Sequence, residues 1–307
     1  MRSIRLANIF AAFTAGAAAC FFMLAIYQRL APRSLPGITF LSLIESALWV
    51  YVIVFAFSYL LLMYVGKFDP VVAWAANAWQ KADYTSALFR LRLFSWRDRR
   101  APFMAFLLTS ANFLDQAYAV ATKAKLHETD MEDPSYNLDF AAGRAALAQR
   151  NLNQARRHFD RLYERFPSSA LARYALGDSL LWQNIDPLRA HQLLTDALAD
   201  PARTDLPHWT RLGFEAELRA SHAWSLAVTG KPEDVQYDLD EATRLAGQNK
   251  PVRASVHLRL GYALRALEHL TMAYEHWRAA REIDPHGWAG SQAARELEDL
   301  PSHVIPV

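Results

Sequence analysis

The chain has 307 residues with a formal net charge of +2, and its counts of Gly (11) and Pro (14) are low. Few glycines and prolines favour helices over a many-turned β fold, so the composition predicts an all-α protein of one large or two smaller domains. Four arginines and one glutamate precede residue 66, which leaves 29 of the 33 basic and 30 of the 31 acidic residues in the rest. This balance excludes the basic signature of a nucleic-acid-binding protein.

Two apolar segments predict a transmembrane hairpin over residues 1–67. Residues 6–27 carry no charge, and residues 38–65 are interrupted only by Glu45. A helix needs about 20 apolar residues to cross the hydrocarbon core, so each segment is long enough to span. The intervening QRLAPRSLPG has two prolines and a terminal glycine, which predict a tight turn. Both long ends of the chain are therefore expected on the same side of the lipid bilayer.

Alternatives remain open within this hairpin. Arg2 and Arg5 before an apolar run that contains Cys20 loosely resemble a secretory or lipoprotein signal, but the run is long and stays apolar after Cys20, which favours a retained anchor. Glu45 lies near the start of the second span, where either an interfacial position or a contact with a membrane partner would accommodate a carboxylate.

Basic residues near the spans predict the orientation. Arg2 and Arg5 precede the first span, whereas Lys67 and an arginine cluster within residues 90–100 follow the second. Because cytoplasmic flanks are enriched in Lys and Arg, we expect the N-terminus and the C-terminal domain in the cytoplasm, at a bacterial inner membrane.

Residues 68–135 are predicted to be helical. The segments 81–94 and 112–124 each have the pattern of a turn followed by an amphipathic helix, with Ala87 and Ala117 at a small buried position. These segments indicate two further, degenerate helical hairpins ahead of a clearer repeat.

Residues 136–300 contain a repeated spacing of small, large and proline residues. Offsets of 12, 16 and 24 residues from a glycine recur in two places: Gly143, Ala155, Phe159 and Pro167, and Gly261, Ala273, Trp277 and Pro285. A third copy starts at Gly177 with one residue inserted in its turn, and a degenerate copy starts at Ala223. A small residue lets two helices approach closely, a large apolar residue fills the seam between hairpins, and proline ends the second helix.

This pattern resembles the tetratricopeptide repeat (TPR) family over residues 136–287. The resemblance implies a TPR-like α-solenoid after the membrane hairpin, because single hairpins cannot bury their apolar faces and must stack. Residues 287–300 are then expected to form a capping helix and 301–307 a tail. Residues 201–212 interrupt the period and are predicted to be a proline-bearing connection.

The resemblance also implies a partner-binding groove, because TPR proteins build their inner surface from first-helix positions. Applied by register, these positions are Phe140, Arg144, Tyr174, Asp178, Trp182, Trp224, Tyr262 and Arg265. Aromatic rings with a few charges suit an extended peptide or a partner helix. Each ring is equally consistent with filling a narrow superhelix, and the Lys and Asn residues of carboxylate-clamp TPR domains are not evident at these positions.

No catalytic, cofactor or metal motif is found in the sequence. TGKPED at 229–234 lacks the upstream Gly and the following Ser or Thr of a phosphate loop, and the ten histidines show no H-E-x-x-H spacing. The sequence therefore predicts neither an enzyme nor a metal protein. We expect a membrane-anchored scaffold that binds protein partners in an inner-membrane complex, with no nucleic-acid partner and an undetermined oligomeric state.

Two families of membrane-anchored TPR proteins have a similar order of elements. Two spans followed by repeats are similar to PelE, the TPR subunit of the Pel exopolysaccharide secretion apparatus, and to HemY, which is linked to haem biosynthesis. HemY-like chains have a longer loop between the spans with a Gly-Tyr-Val-Leu type segment, which QRLAPRSLPG lacks. The exopolysaccharide interpretation is therefore favoured, with the haem-linked one as the alternative.

Overall fold

The computed structural model describes residues 70–92, 100–124, 138–200, 208–231 and 234–300. The chain divides between Asp69 and Pro70. The spans at 6–27 and 38–65 and the tail at 301–307 lie outside the described residues, so they stay predictions. Within the described ranges, no helix is both long and apolar enough to cross a membrane.

The described part of the chain is all-α, as the composition predicts. Its thirteen helices are α1 (Pro70–Gln80), α2 (Tyr84–Arg92), α3 (Ala101–Ser110), α4 (Leu114–Lys123), α5 (Leu138–Ala148), α6 (Leu152–Arg165), α7 (Ala170–Trp182), α8 (Pro187–Ala199), α9 (His208–Val228), α10 (Val235–Ala246), α11 (Lys250–Ala266), α12 (Leu270–Ile283) and α13 (Trp288–Glu298). Helices α1 to α12 pack as six successive hairpins, and α13 packs on the last one. The architecture is thus a series of helical hairpins.

All six hairpins share one turn conformation. A residue with positive φ follows each first helix: Ala82, Asn112, Arg150, Asn184, Gly230 and Glu268. In every case the next backbone N–H bonds back to a carbonyl in the last turn of the first helix, as in Asn151 N to Ala146 O at 2.9 Å. Since only Gly230 is a glycine, this left-handed helix ending is not visible as a glycine motif in the sequence.

The glycine spacing in the sequence corresponds to close helix contacts. A Cβ at Gly143 would overlap the Phe159 ring, and one at Gly261 would overlap Trp277. Both rings are fully buried, and the Trp277 indole donates to Leu258 O at 3.1 Å. A Cβ at Gly177 would lie 3.0 Å from Leu194 Cγ, which is less tight.

The structure corrects the end of the connection predicted for residues 201–212, of which 201–207 lie outside the described residues. Helix α9 begins at His208 and runs for 21 residues, so residues 208–212 are helical. After these turns the helix packs closely on its neighbours. Phe214 is buried and meets the Tyr174 ring edge-on at 5.4 Å, and a Cβ at Gly213 would overlap the side chain of Val252 on α11.

The first hairpin of the array contacts the last helices. Helix α1 packs against both α9 and α11. The Tyr84 hydroxyl donates to the Asp284 carboxylate at the end of α12, and Asn112 Nδ2 donates to Ser291 Oγ on α13 at 3.3 Å. The first and last helices of the described ranges are therefore in contact, and the first helices of the hairpins face a shared interior.

Candidate functional site

Three inner helices each carry a stripe of three polar or aromatic side chains at helical spacing, and together these nine residues are called the stripe residues. In order along the helices, these are Tyr174, Asp178 and Trp182 on α7; Glu217, Ser221 and Trp224 on α9; and Ser255, Arg259 and Tyr262 on α11. Residues three or four apart lie on one helix face, so the three stripes run side by side. The N-terminal part of the stripe is polar and buried, and the C-terminal part is aromatic and opens into a cavity.

The polar interior consists of the six polar stripe residues together with Arg144 of α5. At its centre, Arg259 is 1% exposed and holds Asp178 with two bonds, from Nε to Oδ1 at 3.1 Å and from Nη2 to Oδ2 at 2.9 Å. Ser221 Oγ also donates to Asp178 Oδ1, at 2.5 Å. Burial opposes the charge of Arg259, but the attraction of Asp178 outweighs it and raises the pKa of the guanidinium above its ordinary value.

Glu217 connects the rest of the polar interior. It accepts from Ser255 Oγ at 2.7 Å, Arg144 Nη1 at 3.1 Å and the Tyr174 hydroxyl at 3.2 Å. Burial alone would raise its pKa, but the attraction of Arg144 and Arg259 reverses this and lowers the pKa of Glu217 to about 2. Two arginines and two carboxylates therefore neutralise one another within the protein.

The aromatic cavity lies at the C-terminal ends of the inner helices and has a volume of about 410 Å³. It is lined by Arg150, Leu152, Leu180, Leu181, Trp182, Asn184, Ile185, Pro187, Trp224, Val228, Tyr262, Arg265, Ala266 and Glu296. The cavity therefore combines an apolar floor with a charged group at one side.

The floor of the aromatic cavity is a cluster of rings. Trp182 meets Trp224 edge-on at 5.6 Å and Tyr262 edge-on at 5.0 Å, while Trp224 and Tyr262 stack at 4.9 Å. Behind these rings, the ring centroid of Trp288 lies 5.9 Å from that of Trp182. Because the rings hold one another in fixed orientations, the floor is preorganised for an apolar group.

A single carboxylate organises the charged side of the cavity. Glu296 accepts from the Tyr262 hydroxyl at 2.8 Å, from Arg265 Nη1 at 2.9 Å and from Arg150 Nη2 at 3.1 Å. The side chains of the two arginines are 46% and 48% exposed, whereas that of Glu296 is 9% exposed. Arg265 also lies over the Tyr262 ring at 5.0 Å. The guanidinium groups thus face solvent at the mouth of the cavity.

The structure separates the predicted groove residues into two sets. Trp182, Trp224, Tyr262 and Arg265 come together at the aromatic cavity. Arg144, Tyr174 and Asp178 belong to the polar interior, where they bond to other residues of the chain. Phe140 is buried, with the Arg144 guanidinium 5.8 Å from its ring. Partner binding by any of these residues stays a prediction.

Sequence reasoning missed several residues of both regions. Arg259 and Glu217 lie on the same helix stripes as the predicted residues, so a strict search at spacing of three and four would have found them. Glu296 and Arg150 follow no such rule. Glu296 belongs to the capping helix and Arg150 to a turn, and only the packing of α13 brings them to the cavity.

Two histidine pairs also form away from the cavity. His257 and His276 approach with their Nδ1 atoms 2.9 Å apart, and the rings of His191 and His222 stack at 5.2 Å. Burial and the neighbouring His276 lower the pKa of His257 to about 4, so it is neutral at pH 7. No group of three or more His, Cys, Asp or Glu side chains suited to a metal ion occurs in the described ranges.

Similarity to known proteins is limited to solved structures of low sequence identity and low TM-score. No protein-family model and no curated protein matches the chain. Similar solved structures include YrrB, a TPR protein with an unusual peptide-binding site, at 20% identity and a TM-score of 0.34, covering 69% of this chain and 97% of that one. Another is the APC/C hetero-tetramer Cut9–Hcn1, at 13% identity and a TM-score of 0.37, covering 80% and 59%. Similarity at this level assigns no function.

Proposed function

We propose that this chain is a membrane-anchored scaffold that binds a partner protein through the aromatic cavity. The preorganised cavity with solvent-facing arginines supports this proposal, because buried anchor side chains in well-formed pockets supply most of the energy of a protein interface. The polar interior is a less suitable binding surface, since its charges already neutralise one another.

The proposed complex is one for exopolysaccharide synthesis and secretion of the Pel type, at the bacterial inner membrane. Support comes from the order of elements in the sequence, in which two apolar segments precede the hairpin array. The short loop between those segments favours this complex over a haem-linked one.

Affinity purification of the full-length protein from native membranes in mild detergent, followed by mass spectrometry, tests the proposal. Two variants alter the cavity without removing a buried side chain: Ala266→Trp fills its mouth, and Ile185→Asp places a charge on a lining residue that is 43% exposed. Leu188→Asp is the matched control, because Leu188 at the start of α8 is 69% exposed and does not line the cavity.

We expect polysaccharide synthase or export components to copurify with the wild type and with Leu188→Asp, and to be lost with both cavity variants. If haem-pathway enzymes copurify and are lost with both cavity variants instead, the scaffold belongs to the haem-linked complex. Equal recovery of every partner with all four proteins would refute binding through the cavity.

A further inference from the structure

We infer that the aromatic cavity binds an acidic peptide segment, one that presents a large apolar side chain next to a carboxylate. This inference rests on the proposed function and adds the chemistry of the partner. It follows from three features of the cavity: its charge balance, the donors left on its arginines, and the size and polarity of its floor.

The charge at the mouth is positive. Among the residues that line the cavity, Arg150 and Arg265 are the cations and Glu296 is the anion. One carboxylate shared by two guanidinium groups leaves an excess of one positive charge. Because these arginines are about half exposed, a ligand can reach them without unfolding the site. A basic segment would be repelled, and a neutral one would gain nothing from this charge.

Both arginines keep donors for a ligand. A guanidinium has five N–H groups in a planar fork. Arg265 bonds to Glu296 through Nη1, and Arg150 uses Nε for Gln292 and Nη2 for Glu296. Within the described ranges this leaves Nε and Nη2 of Arg265 and Nη1 of Arg150. Charge-assisted bonds from such donors to a carboxylate are among the strongest hydrogen bonds in proteins.

The floor explains why a carboxylate alone is not the complete ligand. Trp182, Trp224, Tyr262 and Val228 form an apolar surface next to the arginines. The cavity above this floor has a volume of about 410 Å³, which is at the lower end of the range for ligand pockets, about 300–1,000 Å³. That space suits one or two side chains rather than a whole helix. An apolar side chain would fill the floor while a neighbouring carboxylate stays at the mouth.

Isothermal titration of the full-length protein with three capped tetrapeptides tests this inference. The peptides are Ala-Phe-Asp-Ala, Ala-Phe-Asn-Ala and Ala-Phe-Lys-Ala, which differ only in the group next to the ring. We expect the Asp peptide to bind about tenfold more tightly than the Asn peptide at low salt, the effect of one charge-assisted bond. The difference should shrink in about 1 M salt, and the Lys peptide should bind most weakly.

Two variants give opposite expectations. Arg265→Gln should reduce the preference for Asp over Asn to within about twofold, because it removes the charge that distinguishes the two peptides. Glu296→Gln removes the competing carboxylate and keeps an acceptor for Tyr262, so the Asp peptide should bind at least about threefold more tightly. Circular dichroism confirms that each variant is folded.

Equal affinity for the three peptides, no binding of any of them, or weaker binding of the Asp peptide to Glu296→Gln would each overturn the inference. None of these results would refute the scaffold itself. The scaffold depends on the loss of partners from Ala266→Trp and Ile185→Asp, which is measured separately and with a different readout.

Discussion

The polar interior and the aromatic cavity lie on the same inner helices, and both contain arginines paired with carboxylates. In the polar interior, the Arg259 side chain is 2% exposed and bonds to Asp178, Ser221, Ser255 and Tyr174. At the cavity, Arg265 is 48% exposed, and one of its nitrogens bonds to the single shared carboxylate. The same residue type is structural where its donors are satisfied by the fold and available where they are not.

Position along the helices accounts for this difference. Arg259 lies in the middle of α11, between α7 and α9, whereas Arg265 lies in the last turn of α11. Neighbouring helices surround a residue in the middle of the array, but the helix ends leave space that α13 fills only in part. A charge in the middle must therefore be neutralised by the fold, while a charge at the end stays partly exposed to solvent.

The largest expected effect is the removal of the central guanidinium. Arg259→Met leaves Asp178 buried without its cation, so the free energy of unfolding should fall by about 3–5 kcal/mol. Arg265→Met removes a half-exposed partner of Glu296 and should lower it by less than about 1 kcal/mol. Urea unfolding of the full-length protein followed by circular dichroism measures both. Equal losses would show that the two regions do not differ in the way that burial indicates.

A pH titration tests the polar interior next. The pKa of Glu217 falls from an ordinary value of 4.5 to about 2 on folding. A carboxylate with a lowered pKa stabilises the folded state fully above the unfolded value, and this contribution is lost as the pH falls through the folded value. We therefore expect a loss of about 3 kcal/mol of unfolding free energy between about pH 4.5 and pH 2. Glu217→Gln should weaken this dependence, and an unchanged acid limb in thermal unfolding would contradict the assignment.

Matched removal of a hydroxyl from each region should give smaller effects. Tyr174→Phe deprives both Arg259 and Glu217 of a buried partner and should lower the free energy of unfolding by about 1–3 kcal/mol. Tyr262→Phe should cost about 0.5–1.5 kcal/mol, because Glu296 keeps its two arginines. Denaturant unfolding of the two variants side by side shows which one loses more free energy of unfolding. A larger loss in Tyr262→Phe than in Tyr174→Phe would contradict the difference between the two regions.

The smallest effects are expected at the exposed apolar residues near the cavity. Ile185→Asp and Leu188→Asp should each change the free energy of unfolding by less than about 0.5 kcal/mol, since neither side chain is buried. Thermal unfolding followed by circular dichroism checks this. A marked destabilisation by Ile185→Asp alone would mean that the residue stabilises the cavity wall, and its effect on partner binding would then be indirect.

Much of the array follows from local patterns in the sequence. One glycine-to-ring spacing recurs in two hairpins, as Gly143 with Phe159 and as Gly261 with Trp277. It recurs because a residue without a side chain must face a large ring across the hairpin. The repeat resemblance, applied by register, also assigned Trp182, Trp224 and Tyr262 to the inner surface, and the structure brings these three rings together. Helical periodicity carries this information within a few turns of one chain segment.

Other features depend on contacts between distant segments. Arg259 and Asp178 are 81 residues apart, Tyr262 and Glu296 are 34 apart, and no periodic rule predicts which charge meets which. The sequence also did not predict that α9 starts at His208, nor which residues other than Gly230 take the left-handed turn conformation. At these positions tertiary packing and backbone hydrogen bonds outweigh weak local preferences.

The sequence by itself determined the all-α class and the hairpin repeat, because these depend on composition and on spacing along a helix. Only the tertiary structure decided that Tyr174 and Asp178 are satisfied by Arg259, and that Arg265 shares Glu296 with Arg150 at an open cavity. The physical reason is that burial and the pairing of charges are properties of how helices stack, which a local pattern does not encode.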